Sequence, residues 1–151
     1  MKNTTLCYIE HNGKYLMLHR TKKKNDENQD KWIGVGGKFE AEESPYDCAR
    51  REIKEETGLE NLHLSYRGIV TFVSDEYGTE YMHLFMADAE SEKIDVVCDE
   101  GELVWVEKSE IYKLPIWEGD KIFFKLLEEK TDFFSLKLRY SGERLISSIL
   151  E

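Results

Sequence analysis

Proline is nearly missing from this chain: two in 151 residues, at positions 45 and 115. No stiff proline-rich linker is possible, and the glycines form no flexible tract that would mark a joint. A single domain over residues 1–151 is the expectation, and the length suits one. Cysteine is scarce as well. Cys7, Cys48 and Cys98 are odd in number, far apart and without a C-x-x-C pair. Neither a zinc site nor a disulfide framework is predicted, and the setting reads as reducing and cytoplasmic. No apolar run approaches the roughly 20 residues of a membrane span. The first residues, MKNTTLCYIEHNGKY, hold too short an apolar stretch for a signal peptide, broken by Glu10 and His11.

Positive charge is the remaining shortage. Lys and Arg number 21 against 31 Asp and Glu, a net charge of −10. A nucleic acid polymer needs a cationic face and is excluded as the main partner. An anionic membrane surface is excluded on the same ground. An anionic small molecule is not, because a bound divalent cation inverts the local sign.

What is present is a folded, aromatic-rich chain, 40% hydrophobic and 12% aromatic. Residues 4–10 and 14–20 read as two strands joined across Asn12-Gly13, a pair that tolerates positive φ in a tight hairpin. Residues 21–31 are polar and read as an exposed loop, and residues 32–37 as a glycine-broken strand or loop. A helix then follows with full punctuation. Ser44 caps it, Pro45 suits its first turn, Asp47 completes a capping box and Gly58 stops it. Tyr46, Ala49 and Ile53 share its apolar face. Further strands are expected at 64–74, 80–88, 103–106, 133–140 and 144–150, and helices at 108–113 and 118–130. Strands and helices mix irregularly, so the fold class is α/β with a mixed sheet.

The chemistry concentrates in that helix. Glu52, Glu55 and Glu56 fall within an arc of about 100° on one face. Like charges so close destabilise a helix by about 0.2–0.5 kcal/mol per pair. A hard cation with oxygen ligands, such as Mg²⁺, relieves that strain. An acidic face flanked by Arg50, Arg51 and Lys54 is ordinarily just solvated. Here, however, the spacing is fixed over a longer stretch. From Gly37 to Leu59 the chain reads GKFEAEESPYDCARREIKEETGL, or G-x5-E-x7-R-E-U-x-E-E-x-G-U with U aliphatic. Every fixed position is filled.

This segment resembles the Nudix box, and the chain is similar to the Nudix hydrolases. The resemblance implies a Nudix fold, an α/β/α sandwich around a central mixed sheet. It implies Mg²⁺- or Mn²⁺-dependent hydrolysis of a nucleoside diphosphate linked to a further group. Gly36, Glu52, Glu55 and Glu56 are then the expected metal ligands. Glu43 and Arg51 bridge loop to helix and orient the carboxylates. Glu100 supplies a further carboxylate from a loop, as ligand or general base, with Glu102 as a possible substitute. Glu52, Glu55 and Glu100 all stay open as the base.

The likeness runs nearly the full length, toward the MutT-type group that clears oxidised purine nucleotides. Residues 31–38, KWIGVGGK, resemble that group's approach to the box, and residues 114–120, LPIWEGD, its purine pocket. The implied substrate is a nucleoside triphosphate, cleaved to monophosphate and pyrophosphate. Trp117 would stack on the base, Asp120 would meet its Watson–Crick edge, Phe72 would line the pocket and Lys38 would contact phosphate. Each also has a plainer reading: Trp117 and Phe72 as core aromatics, Asp120 as a helix-start acid, Lys38 as a surface lysine. Lys22, Lys23 and Lys24 are a weaker electrostatic lure. A dinucleoside polyphosphate, ADP-ribose or ordinary dNTPs remain alternative substrates, and a non-catalytic nucleotide sensor is a further one.

Overall fold

A computed structural model describes residues 1–22, 26–129 and 132–151. Strands β1 (Lys2–His11) and β2 (Lys14–Arg20) meet across Asn12-Gly13, whose φ angles are 47° and 74°. Both lie in the left-handed region that this dipeptide tolerates. The two strands pair only at Glu10↔Tyr15 and His11↔Lys14 and then part. From there β1 runs parallel to β5 (Gly78–Asp88), while β2 runs antiparallel to β6 (Gly101–Glu107) over its whole length. The sheet therefore opens like a V between β1 and β2.

The V is filled by the glycine-broken segment after β2. Its first part is the two-residue strand β3 (Trp32–Ile33), which pairs with β2. The chain then crosses to β1, where Val35 bridges Cys7 and Lys38 bridges Thr4. On the other side of β5 lie β4 (Leu64–Ser74), β7 (Phe134–Ser141) and β8 (Arg144–Leu150). The order is β3-β2-β1-β5-β4-β7-β8, with β6 on β2 off this path. The β1/β5 and β4/β7 pairs are parallel and the rest antiparallel, so the sheet is mixed.

Alternation along β1 sorts the core into two layers. Leu6 and Tyr8 point to one side, with Phe123, Phe124 and Leu127 of helix α2 (Asp120–Glu128). Cys7 and Ile9 point to the other, with Ala49 and Ile53 of helix α1 (Pro45–Thr57). The result is the α/β/α sandwich. Among the described residues, no helix is long and apolar enough to cross a membrane.

Helix α1 begins and ends where its sequence dictates. Ser44 Oγ accepts from the Asp47 amide at 3.1 Å, and Asp47 Oδ2 accepts from the Ser44 amide at 3.0 Å. Gly58 closes the helix in the left-handed conformation, at φ 77°. Ser44→Ala removes one half of this box. It should cost about 1 kcal/mol, or about 2–4 °C in melting temperature, read by thermal denaturation.

Two expectations change. The 108–113 segment is helical as expected but of the tighter 3-10 kind, and the second helix is shorter than expected, spanning Asp120–Glu128. The 21–31 loop is not simply exposed. Its Asp26 side chain is only 7% exposed and sits 2.9 Å from the equally buried Arg20 guanidinium. A buried arginine requires an acidic partner, and that requirement pulls the acidic part of the loop inward. Lys23 and Lys24 lie outside the described residues. Lys22 is exposed and donates to the Cys98 carbonyl at 3.0 Å.

Candidate active site

The V in the sheet fixes where backbone and carboxylates meet. Residues 35–39 hydrogen-bond along β1: Thr5 donates to the Gly37 carbonyl and Cys7 to that of Val35. A Cβ on Gly36 would stand 1.9 Å from the Thr5 carbonyl oxygen, so only glycine fits. A Cβ on Gly37 would stand 2.5 Å from Glu52 Oε1. The absent side chain at 37 is thus the space that the Glu52 carboxylate occupies. The Gly36 amide donates to Glu56 Oε2 at 3.1 Å.

Arg51 organises the acids around this point. Its Nε and Nη2 form a fork on Glu43 at 2.7 and 2.8 Å, and Nη2 also donates to the Lys38 carbonyl at 3.0 Å. Its Nη1 reaches Glu52 at 2.8 Å and Glu55 at 3.3 Å. The fork holds the Glu43 carboxyl down at about 2. Arg51 therefore ties the 38–43 loop to α1 and aims the carboxylates. Glu56 is 7% exposed. Burial first, then the charges of Glu52 and Glu100, push its carboxyl up to about 9. Burial also raises Glu52, against the pull of Arg51. Glu100 is held at 3.2 Å by Arg20, while Glu102 lies away from the cavity. Of the two candidates Glu100 and Glu102, Glu100 is the one brought to the site.

Of these carboxylates, Glu52, Glu55 and Glu100 edge a cavity of about 650 Å³, whereas Glu43 and the buried Glu56 do not line it. Gly36, Gly37, Arg51, Glu52, Glu55, Glu100 and the exposed Lys38 line one part of it. Phe72, Trp117 and Asp120 line another. Phe72 stands on β4, two strands away from β1. Its ring meets Trp117 edge-on at 5.4 Å and stacks on Tyr140 at 4.9 Å. Trp117 Nε1 donates to Asn28 at 2.8 Å, and the Gly119 amide donates to the Tyr140 hydroxyl at 2.6 Å. Phe72 and Trp117 are core aromatics and cavity walls at once. Asp120 is 5% exposed, and burial holds its carboxyl well above the usual range, with only Lys31 opposing. Among the described residues, no side chain donates to that carboxyl.

The donor set fits a hard divalent cation: carboxylate and backbone oxygens, with a buried like-charge cluster that a cation would relieve. Among the described residues, no three acidic, His or Cys side chains converge as a ready-made cage. Glu52 and Glu55 both lean on Arg51, and Glu55 is 58% exposed at its side chain. Sequence reasoning missed Asp26 and Asn28, which reach the cavity from the loop, and Lys2, Arg20 and Glu80, which reach it from strands. None carries a local signal. Each is a polar residue in a polar or alternating stretch.

The class that this fold and carboxylate helix define is borne out by comparison: the NUDIX domain family matches residues 2–127, and the chain belongs to that family. Its particular relatives are of the MutT kind. An oxidized purine nucleoside triphosphate hydrolase of Danio rerio is 31% identical over 150 residues, 96% of this chain and 90% of that one. An uncharacterised Nudix hydrolase of Bacillus subtilis is 30% identical over 124 residues, 80% and 75% of the two chains. The crystal structure of a mutator MutT protein from Bacillus halodurans superposes with a TM-score of 0.85 at 26% identity, covering 100% and 98%.

Proposed function

We propose that this protein is a metal-dependent nucleoside triphosphate pyrophosphohydrolase acting on oxidised purine nucleotides such as 8-oxo-dGTP. The observation that carries the reading is that one cavity spans both parts of the site. It joins the Gly36–Glu52 cluster to an aromatic slot that ends in the buried Asp120 carboxyl. One part suits a triphosphate and the other a flat, hydrogen-bonding base. The relative from Danio rerio, by its name, acts on such substrates.

Glu52, Glu56 and Glu100 would hold Mg²⁺ or Mn²⁺, with Glu55 as a further ligand and the Gly36 backbone beside them. The cation supplies neutralisation of phosphoryl charge and a more acidic water. The chain's own groups do the rest. Gly36 and Gly37 let backbone approach phosphate. Arg51 and Glu43 keep the carboxylates aimed, as partners behind metal ligands commonly do. Arg20 holds Glu100 in place. One of Glu52, Glu55 and Glu100 takes the proton from the water that attacks the β-phosphorus. Nucleoside monophosphate and pyrophosphate leave. Trp117 stacks on the base, Asp120 and Phe72 border it, and Lys38 meets phosphate from its exposed position. A buried carboxyl facing the base edge discriminates well, because a wrong base leaves polar groups unpaired.

The test is a nucleotide panel assayed for pyrophosphate with Mg²⁺ and with Mn²⁺. The expected result is a kcat/KM for 8-oxo-dGTP at least about tenfold above that for dGTP, with all turnover lost in EDTA. Equal rates on both nucleotides, or faster cleavage of ADP-ribose or a dinucleoside polyphosphate, would overturn the substrate assignment. Nucleotide binding without pyrophosphate would make the protein a sensor.

A further inference from the structure

The cavity wall carries a second carboxyl that the reaction above does not use. Glu80 on β5 sits in a cross-strand row, with Lys2 of β1 on one side and Phe72 of β4 on the other. It borders the same cavity as Trp117, and its side chain is only 13% exposed. Its Oε2 accepts from the Thr4 hydroxyl at 2.8 Å. Its Oε1 stands 3.6 Å from Lys2 Nζ, too long for a hydrogen bond, and that ammonium lies closer to Glu27, at 3.3 Å. Burial and the Glu27 charge both disfavour the Glu80 carboxylate, with Thr4 and Lys2 opposing them.

An apolar side chain would close an aromatic slot at lower cost, as Met82 does two residues on. A carboxylate has room for about four hydrogen bonds, so Glu80 keeps spare acceptor capacity facing the slot. Asp120, nine-tenths buried on the same cavity, has none of its capacity met by a side chain. A base bordering Glu80 can meet that spare capacity only with a donor. A guanine-type base carries an exocyclic amine and a ring N–H side by side, whereas a hypoxanthine-type base lacks the amine.

We propose that Glu80 is a specificity-determining residue, accepting a hydrogen bond from the exocyclic amine of a guanine-type base held against Phe72 and Trp117. This rests on the reading of the protein as a purine nucleoside triphosphate hydrolase. Lys2 and Thr4 position the carboxyl, and Glu27 keeps Lys2 from satisfying it fully.

The test compares kcat/KM for dGTP and dITP, which differ only in that amine. It uses the wild type, Glu80→Leu and Glu80→Gln, each checked by thermal melting. The wild type should prefer dGTP by on the order of tenfold. Glu80→Leu should bring the ratio to about one, through KM for dGTP, with kcat held within about twofold. Glu80→Gln keeps an acceptor oxygen and should lower the ratio at least about threefold, which carries the test if the leucine variant does not fold. An unchanged ratio in the folded variants, or an equal loss on both nucleotides, would overturn the proposal. A wild type that releases pyrophosphate equally from both would overturn it while leaving the parent reading intact. Release from neither nucleotide, nor from 8-oxo-dGTP, would overturn both.

Discussion

Glu56→Gln should lower triphosphate turnover at saturating Mg²⁺ by at least about a hundredfold, the upper loss seen when only a supporting partner of a metal ligand is removed. The same change should make the metal-free protein more stable at pH 8. Both effects come from one geometry. Glu56 is buried, accepts from the Gly36 amide at 3.1 Å, and lies close to Glu52 and Glu100. Glutamine keeps the amide contact but brings no negative charge to a cation. In the metal-free protein the carboxyl titrates near 9 rather than at its ordinary 4.5. Between those values the folded state holds a proton that the unfolded chain has released. The stability contributed by Glu56 is therefore full below pH 4.5 and is lost as pH rises toward 9. Glutamine does not titrate, so the variant's melting temperature should fall less between pH 5 and pH 8. It should exceed the wild type's at pH 8 by a few degrees, equivalent to about 1 kcal/mol or more. Mg²⁺ should flatten the wild-type profile in the same way. Thermal melts at the two pH values, with and without Mg²⁺, read all of this. Undiminished turnover would remove Glu56 from the metal site.

The adjacent glycines should fail in opposite ways. At Gly36 a methyl group would lie 1.9 Å from the Thr5 carbonyl oxygen, which is backbone within a paired strand. Backbone cannot give way cheaply, so Gly36→Ala should cost about 3 kcal/mol, or roughly 6–12 °C in melting temperature. At Gly37 the methyl group meets the far end of Glu52, 2.5 Å away. A side-chain end can swing aside. Gly37→Ala should therefore melt within a few degrees of wild type while losing about a hundredfold in kcat/KM, the scale of an ångström-sized misplacement of a catalytic group. Equal stability losses in the two variants would show that Glu52 does not occupy the space beside Gly37.

The parts of this molecule that could be read in advance are those set by neighbours in sequence. Asn12-Gly13 specifies its turn, Ser44 and Asp47 specify a helix start, and the spacing from Gly37 to Leu59 puts three carboxylates on one helix face. The parting of β1 from β2 could not be read. A hairpin signal says how two strands begin to pair, not how far they stay paired, and that length depends on β5 and β6 competing for their edges. Glu80 was equally silent. In GTEYMHLF it looks like an outward residue of an alternating strand, and only the placement of β5 between β1 and β4 brings it to a cavity wall. Arg20 and Asp26 find each other across a loop whose composition promises only solvent.

The V between β1 and β2 has a consequence for how the molecule opens. The 35–39 segment has little regular structure, yet its amides and carbonyls are bonded into β1, and Val35 is fully buried. Loops commonly open locally at small cost, but a segment laced into a central strand opens only with that strand. The cavity floor at Gly36 and Gly37 is therefore part of the last unit to melt. The opposite wall differs, because Asn28 and Glu100 arrive there from connecting segments. The cavity thus sets one wall bonded into a central strand against another built on connecting segments and held by side-chain contacts, so the two walls do not have to open together.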